Sequence, residues 1–553
     1  FFIVFFFPPP PPPSITLYKS WCCAGLVVGV CVFIGMVCSP VNAQIILPTE
    51  LIAWAEGAED ASGDTLDMTH EELINKEQGE VVEEQARAQA GSDIVLDGIF
   101  VSMDNAGQNI DIYRGNVRFI GGGNYLYTHN VSIYAMDLVR SDLSRSTFFY
   151  EKLGNLIFER DVSKYAINDG GGIAIIPWAV VNNFGGGDDL YEFAAIRKDH
   201  RGYHLEEMNS AFLEGRRDLW NSAANGLIGG GISYLGGSKV VNSLTLWNSG
   251  DVNFNGESLT INSGGLIHNG GHFSISGGAG SRITTAKHRP LYIHGQAPNL
   301  DINGEVKLTG GMDIVKTGEG ILSLNSSVTH DVGAVYIHQG VLDLKEGVLF
   351  VSGPITVGDG LGTDKLRLAG SRRNQIQKRG GGHPTIILSG NESMQEGGGA
   401  VLEMGGGTQL ELAKLHIEKQ GVIDWVGGYD KAANILWLDE LTFSGPDAKL
   451  FMKNWREYED ILLVRKSSFD FARLNNISFE GYKGPTKWRE YDKDFIEITP
   501  FIPEPATYGA ILGALGVAVV AWRRRRANEA SRRPFHRRDG VVASLDAVEA
   551  TAQ

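Results

Sequence analysis

The chain has 553 residues, 71 of them Gly and only four of them Cys, with 43% hydrophobic residues and a formal net charge of −16. That acidic balance excludes a partner held by phosphate neutralisation, such as a nucleic acid, and implies a well-solvated surface. The length between the terminal segments, roughly 450 residues, suits one elongated domain or two to three compact ones.

Residues 1–43 read as a misplaced start followed by a signal peptide. Phe1 to Phe7 and Pro8 to Pro13 match neither a signal peptide nor a domain. From Leu17, a short segment with Lys19 leads into the apolar run Ala24 to Val37 and then Val41-Asn42-Ala43. Short residues three and one before Gln44 predict cleavage by signal peptidase between Ala43 and Gln44. Cys22, Cys23, Cys31 and Cys38 all fall in this leader, so the exported form is expected to carry no thiol, disulfide or cysteine metal site.

Residues 44–115 read as an acidic spacer. Between Glu50 and Glu84 stand twelve acidic residues and one base, Lys76, with too little apolar material for a core. Thr69-His70-Glu71-Glu72 has capping-box spacing for a weak helix from about Met68 to Gln89. Residues 116–229 are mixed, read as early solenoid coils with insertions. Ser141 to Phe158 and Leu190 to Leu219 have helix-like apolar spacing, whereas Ile173-Ala174-Ile175-Ile176 and Ala179-Val180-Val181 look like strands. The Gly triplets at Gly121, Gly170, Gly185 and Gly229 precede no Gly-Lys-Ser/Thr and cradle no phosphate.

Residues 230–430 speak most clearly. Short alternating runs such as Ser243-Leu244-Thr245-Leu246, Ser258-Leu259-Thr260-Ile261, Phe273-Ser274-Ile275, Leu291-Tyr292-Ile293, Val341-Leu342-Asp343-Leu344 and Lys365-Leu366-Arg367-Leu368 are separated by Gly, Asn and Asp. Period two predicts strands with one buried face, and the intervening residues supply turns. Strands so short need neighbours, and a stack of coils buries each apolar face on the next. A set of β-sandwiches would satisfy the same alternation. The Gly-rich turns recur irregularly without a boundary, and the reading adopted is all-β: an elongated right-handed β-solenoid, or β-helix, with a C-terminal β cap over residues 431–500. Ile314-Val315-Lys316-Thr317-Gly318-Glu319-Gly320-Ile321-Leu322-Ser323-Leu324, followed by Gly340-Val341-Leu342-Asp343-Leu344, resembles the autotransporter-associated β-strand repeat. The resemblance implies an extracellular β-helical body.

Candidate chemistry within this body is sparse. His268 and His272 are four apart, but a metalloprotease motif needs a helix and a Glu after the first His, so they read as surface turn histidines. Gly360-Leu361-Gly362-Thr363-Asp364 matches part of a calcium-binding nonapeptide without an adjacent second copy, and reads as a turn. Tyr292, Tyr336, Trp425, Trp437 and Trp455 could stack on sugars or belong to core and cap. Acidic residues are scattered, so no catalytic acid and base, metal ligand or cofactor site is nominated.

Residues 501–526 combine Pro503-Glu504-Pro505, an apolar stretch from Ala506 to Trp522, and Arg523-Arg524-Arg525-Arg526; a basic tail, 527–553, follows. A stretch of about 17 apolar residues is at the short limit for a single transmembrane helix, and the arginines would stop it on the cytoplasmic side. An ordinary C-terminal anchor would share those two features. With its Pro-Glu-Pro the segment resembles the PEP-CTERM sorting signal, and pairing of this tail with such a body resembles exported proteins of planctomycete and verrucomicrobial type. The resemblance implies an exosortase-type transpeptidase as partner, a sorting motif at Pro503, Glu504 and Pro505, and a stop at Arg523, Arg524, Arg525 and Arg526. Taken together, the sequence predicts a structural or adhesive protein of the cell surface or extracellular matrix. It would be transiently anchored in the inner membrane, with exopolysaccharide as its partner; the alternative is a carbohydrate-active β-helix enzyme, a polysaccharide lyase or hydrolase.

Overall fold

Inner rows of aliphatic side chains organise the body. In one sheet Leu244, Leu266, Ile293, Lys316, Ile337, Val357, Leu388, Ile417 and Phe443 stand in register, each on the next strand. In a second sheet the row is Val252, Ile275, Ile302, Leu324, Leu344, Leu368, Met404 and Trp425. Both rows belong to one buried cluster, apart from Lys316. These are the alternating runs of the sequence, and their apolar halves meet inside the stack.

The computed structural model describes residues 94–96, 100–104, 110–119, 123–140, 147–168, 173–182, 191–208, 213–286, 289–296, 298–358, 363–370, 372–390, 399–427, 433–502 and 505–531. All belong to one compact unit, His70–Gln553. The expected leader, the cleavage point at Ala43 and Gln44, the acidic run to Glu84, and Pro503 and Glu504 lie outside the described residues.

The body is a β-solenoid. Its first long sheet has 13 strands and its second has 11, with each coil adding a rung to both. A three-stranded sheet, Thr329–Val332, Val348–Val351 and Ile376–Lys378, forms a further wall over the middle coils. Pairing between successive coils is parallel, so each coil satisfies the edges of its neighbours, which a strand of four residues could not do alone.

Residues 94–207 form a sheet of their own, with eight strands. It begins at Ile94–Leu96, Phe100–Asp104 and Ile110–Phe119, inside the segment 44–115 expected to be a spacer. The reason is compositional: the acidic run ends at Glu84, and from Ile94 short apolar runs return, Ile94-Val95-Leu96 and Ile99-Phe100-Val101. Where spacing suggested helices, the chain forms the strands Thr147–Phe158, Tyr191–Asp199 and Gly202–Glu207. Phe148, Tyr150, Leu156, Ile157 and Phe158 are all buried, and burial on both faces removes the alternation that would have marked a strand.

This sheet packs on the outside of the solenoid. Tyr292, Val315 and Tyr336, in register on the outer side of the first long sheet, share a buried cluster with Phe119, Phe148 and Trp178. Arg140 donates to the Tyr292 hydroxyl at 3.1 Å and lies 4.4 Å over the Trp178 ring. His294 Nε2 donates to the Pro177 carbonyl at 2.8 Å. Gly265 precedes Tyr292 in the same outer column, and a Cβ there would meet the Phe193 ring at 2.7 Å.

The C-terminal end closes differently. Asn434–Leu438 and Asp460–Arg465 continue the parallel stack, then Phe495–Pro500 and Thr486–Glu490 add antiparallel strands. After Ile502 comes Pro505–Ser531, the one α-helix among the described residues.

Candidate functional site

The tail is held close to the body. Phe495–Pro500 is bonded on both sides, the Phe501 amide donates to the Pro485 carbonyl at 3.0 Å, and Ile502 packs on the solenoid core. Pro505 begins the helix at its first position, where a missing N–H costs nothing. Only Pro503 and Glu504 stand between cap and helix. The helix carries Leu512, Leu515, Val517, Val519, Val520 and Trp522 exposed, so these side chains have no protein core to meet. Arg526 stacks 4.3 Å over the Trp522 ring, and Arg523 to Arg526 are exposed. The apolar stretch is about 26 Å long at 1.5 Å per residue, against about 30 Å of hydrocarbon. Among the described residues no helix is long and apolar enough to cross a membrane.

Within the body the unusual group is Lys316, which occupies an aliphatic position in the inner row. Its Nζ donates to the carbonyls of Thr317, Gly318 and Gln339 at 2.9, 2.5 and 3.0 Å. Burial pushes the ammonium down to about 7, while Asp364 and Glu319 pull the other way. The rest of the motif serves the same corner. Thr317 Oγ1 lies 2.8 Å from His294 Nδ1. Gly318 has φ 74°, and a Cβ there would lie 2.3 Å from the Gly295 carbonyl. The Lys-Thr-Gly signal therefore marks a buried turn, which sequence reasoning placed only by resemblance.

The outer side of the second sheet bears a polar column that sequence reasoning missed. Asp301, Ser323, Asp343, Arg367, Glu403 and Asp424 stand in register on successive strands. Glu403 pairs with Lys365 at 2.5 Å and Arg367 at 2.6 Å, and Asp343 lies 3.6 Å from Arg367. Burial raises the Asp343 pKa, opposed by Arg367 and Lys345. The column is a ladder of mutually compensating charges.

The other sequence candidates resolve individually. His268 is buried rather than at the surface; its Nε2 donates to the Gly271 carbonyl at 2.8 Å, and burial lowers it to about 4. His272 is exposed and pairs with Asp301 at 2.8 Å. The two rings thus serve different partners, and among the described residues no cluster of three or more His, Cys, Asp or Glu is placed to hold a metal. Tyr292, Tyr336, Trp425 and Trp455 are buried, and Arg373 lies 5.4 Å over the half-buried Trp437 ring. Gly360 to Gly362 lie outside the described residues.

Residues 501–526 match the family model of the PEP-CTERM protein-sorting motif. No curated protein and no solved structure matches the chain. The tail is the signal of an exported protein sorted to the cell envelope, and exosortase is the enzyme that recognises such motifs.

Proposed function

We propose that this exported β-solenoid is a structural or adhesive element of the cell envelope, delivered by its tail and acting passively. The observation that carries the reading is the direct succession of a capped solenoid and the sorting segment. An exosortase-type transpeptidase reads Pro503-Glu504-Pro505 and separates body from tail. Before that step the short apolar helix engages the inner membrane, with Arg523 to Arg526 kept at the cytoplasmic face by the preference of basic residues for that side. A helix shorter than the hydrocarbon is tolerated at modest cost by local thinning, which suits a temporary hold. Signal peptidase acts earlier at Ala43 and Gln44, and matrix polysaccharide is the target class for the exported body. The resemblance of Ile314 to Leu344 to the autotransporter-associated repeat, and of the whole to planctomycete and verrucomicrobial envelope proteins, is part of the same proposal.

Glu504→Ala is the test. The change leaves the apolar stretch and the arginines untouched, so a plain anchor is indifferent to it. Under the sorting reading, full-length precursor accumulates in the inner membrane; wild-type size and location in fractionated cells would sink it.

The polar column favours a second reading, a carbohydrate-active enzyme. Asp343 and Glu403 stand two strands apart on one face, about 10 Å at the backbone, and glycoside hydrolysis uses such a pair of carboxylates. Both carboxylates are tied to Lys365 or Arg367, which suits a structural ladder better. Release of reducing or unsaturated sugars from exopolysaccharide, lost in Asp343→Asn, would reverse that preference.

A further inference from the structure

Exposed aromatic side chains are concentrated at one end of the solenoid. Tyr458, Phe471, Tyr482, Trp488, Tyr491 and Phe501 are all exposed, with Tyr458 at 72% and Tyr491 at 50%. Elsewhere among the described residues only Tyr234 and the helix residue Trp522 are exposed aromatics. The six surround the last strand of the capping sheet, Thr486–Glu490, which is its free edge.

We propose that this aromatic rim docks on the lipid head-group layer of the membrane that the tail engages, holding the cap against the bilayer until the body is released. The inference rests on the membrane-engaging reading of the tail. Chain continuity supports it: Ile502, next to the rim residue Phe501, and Pro505 are three residues apart, so the end of the cap lies within about 11 Å of the helix start. Tyr and Trp favour the interface between hydrocarbon and water, with apolar bodies and polar tips.

The ring environments favour lipid over sugar. Lys487 lies 5.6 Å over the Phe501 ring and Arg489 lies 5.6 Å over Tyr458. Phe471 and Trp488 are 5.1 Å apart at a tilt of 57°. Faces that would stack on a sugar ring are partly taken by these neighbours. Arg489 is held by Glu497 at 2.8 Å, whereas the exposed Lys487 is placed to meet lipid phosphate, as amphipathic side chains do at an interface.

The test uses the full chain with Cys22, Cys23, Cys31 and Cys38 changed to Ser. A polarity-sensitive fluorophore is placed at Tyr491→Cys or, as a control in the first coil, at Ile232→Cys. The protein is mixed with phosphatidylcholine–phosphatidylglycerol vesicles containing brominated lipid. The proposal predicts severalfold stronger quenching at 491 than at 232. It also predicts that combined Trp488→Gln, Tyr491→Gln and Phe501→Gln weakens vesicle binding by about tenfold, or 1.4 kcal/mol, with the β circular-dichroism spectrum unchanged. Equal quenching at both positions in protein that floats with vesicles overturns the rim while leaving the tail reading intact. Failure of the full chain to float overturns both. Protection at 491 that requires membranes carrying their own proteins assigns the rim to a protein partner and also overturns the proposal.

Discussion

At the scale of single residues, Lys316 sets the clearest expectation. Its ammonium is held below its ordinary value of 10.5, at about 7, so between those limits the unfolded chain binds more protons than the folded one. Stability therefore rises with pH across that window, by up to about 1.4 kcal/mol per pH unit. Urea denaturation at pH 7.5 and 9.5 should show this rise, and Lys316→Met should abolish it. The same variant leaves the carbonyls of Thr317, Gly318 and Gln339 without their donor, at a cost of about 1–3 kcal/mol for each buried group left unsatisfied, offset in part by relief of the buried charge. A rise that persists unchanged in Lys316→Met would assign it to other groups. His268, His294 and His330 act at the other end of the scale, each lowered to about 4 mainly by burial. They are neutral when folded and take up protons when unfolded below about 6.5. Stability should fall as pH drops from 6.5 toward 4, at up to about 4 kcal/mol per pH unit if all three titrate together. His330→Gln should flatten that slope by about a third, read from denaturation midpoints.

At the scale of elements, the contact between the outer sheet and the solenoid turns on Gly265. Its backbone is ordinary, but the Phe193 ring and Ile175 occupy the space a side chain would need. Gly265→Val should destabilise the protein by about 1–3 kcal/mol through overpacking, and Phe193→Ala in the same chain should recover part of the loss. Additive effects of the two changes would contradict that contact. The period-two runs made the inner rows legible, because Leu, Ile and Val alternate within each strand whatever its neighbours. What covers the other side of a strand is not local information: Tyr292 and Tyr336 are buried by residues near Phe119, Phe148 and Trp178. The charged column was hidden for a different reason. Ser323, Asp343, Arg367 and Glu403 are in register, yet their numbers differ by 20, 24 and 36, so coil length varies and no fixed period brings them together. Lys316 likewise reads as a surface residue in any hydropathy pattern, and only its Gly neighbours signal a tight corner.

At the scale of the molecule, the account joins a β-solenoid to a sorting tail with two residues between them. Both parts were readable in the sequence, the first from periodicity and the second from Pro503-Glu504-Pro505 and its apolar and basic followers. The junction was not readable, because the packing of Ile502 on the core depends on antiparallel strands that fold back over the last coil. The central claim is that this tail is a processed signal, and the intact mass of the protein recovered from the cell surface tests it most directly. The account predicts a mass for a chain that starts at Gln44 and ends close to Pro503-Glu504-Pro505, without Arg523 to Arg526, plus any group joined by the transpeptidase. A surface protein whose mass still includes the helix and the four arginines would contradict it.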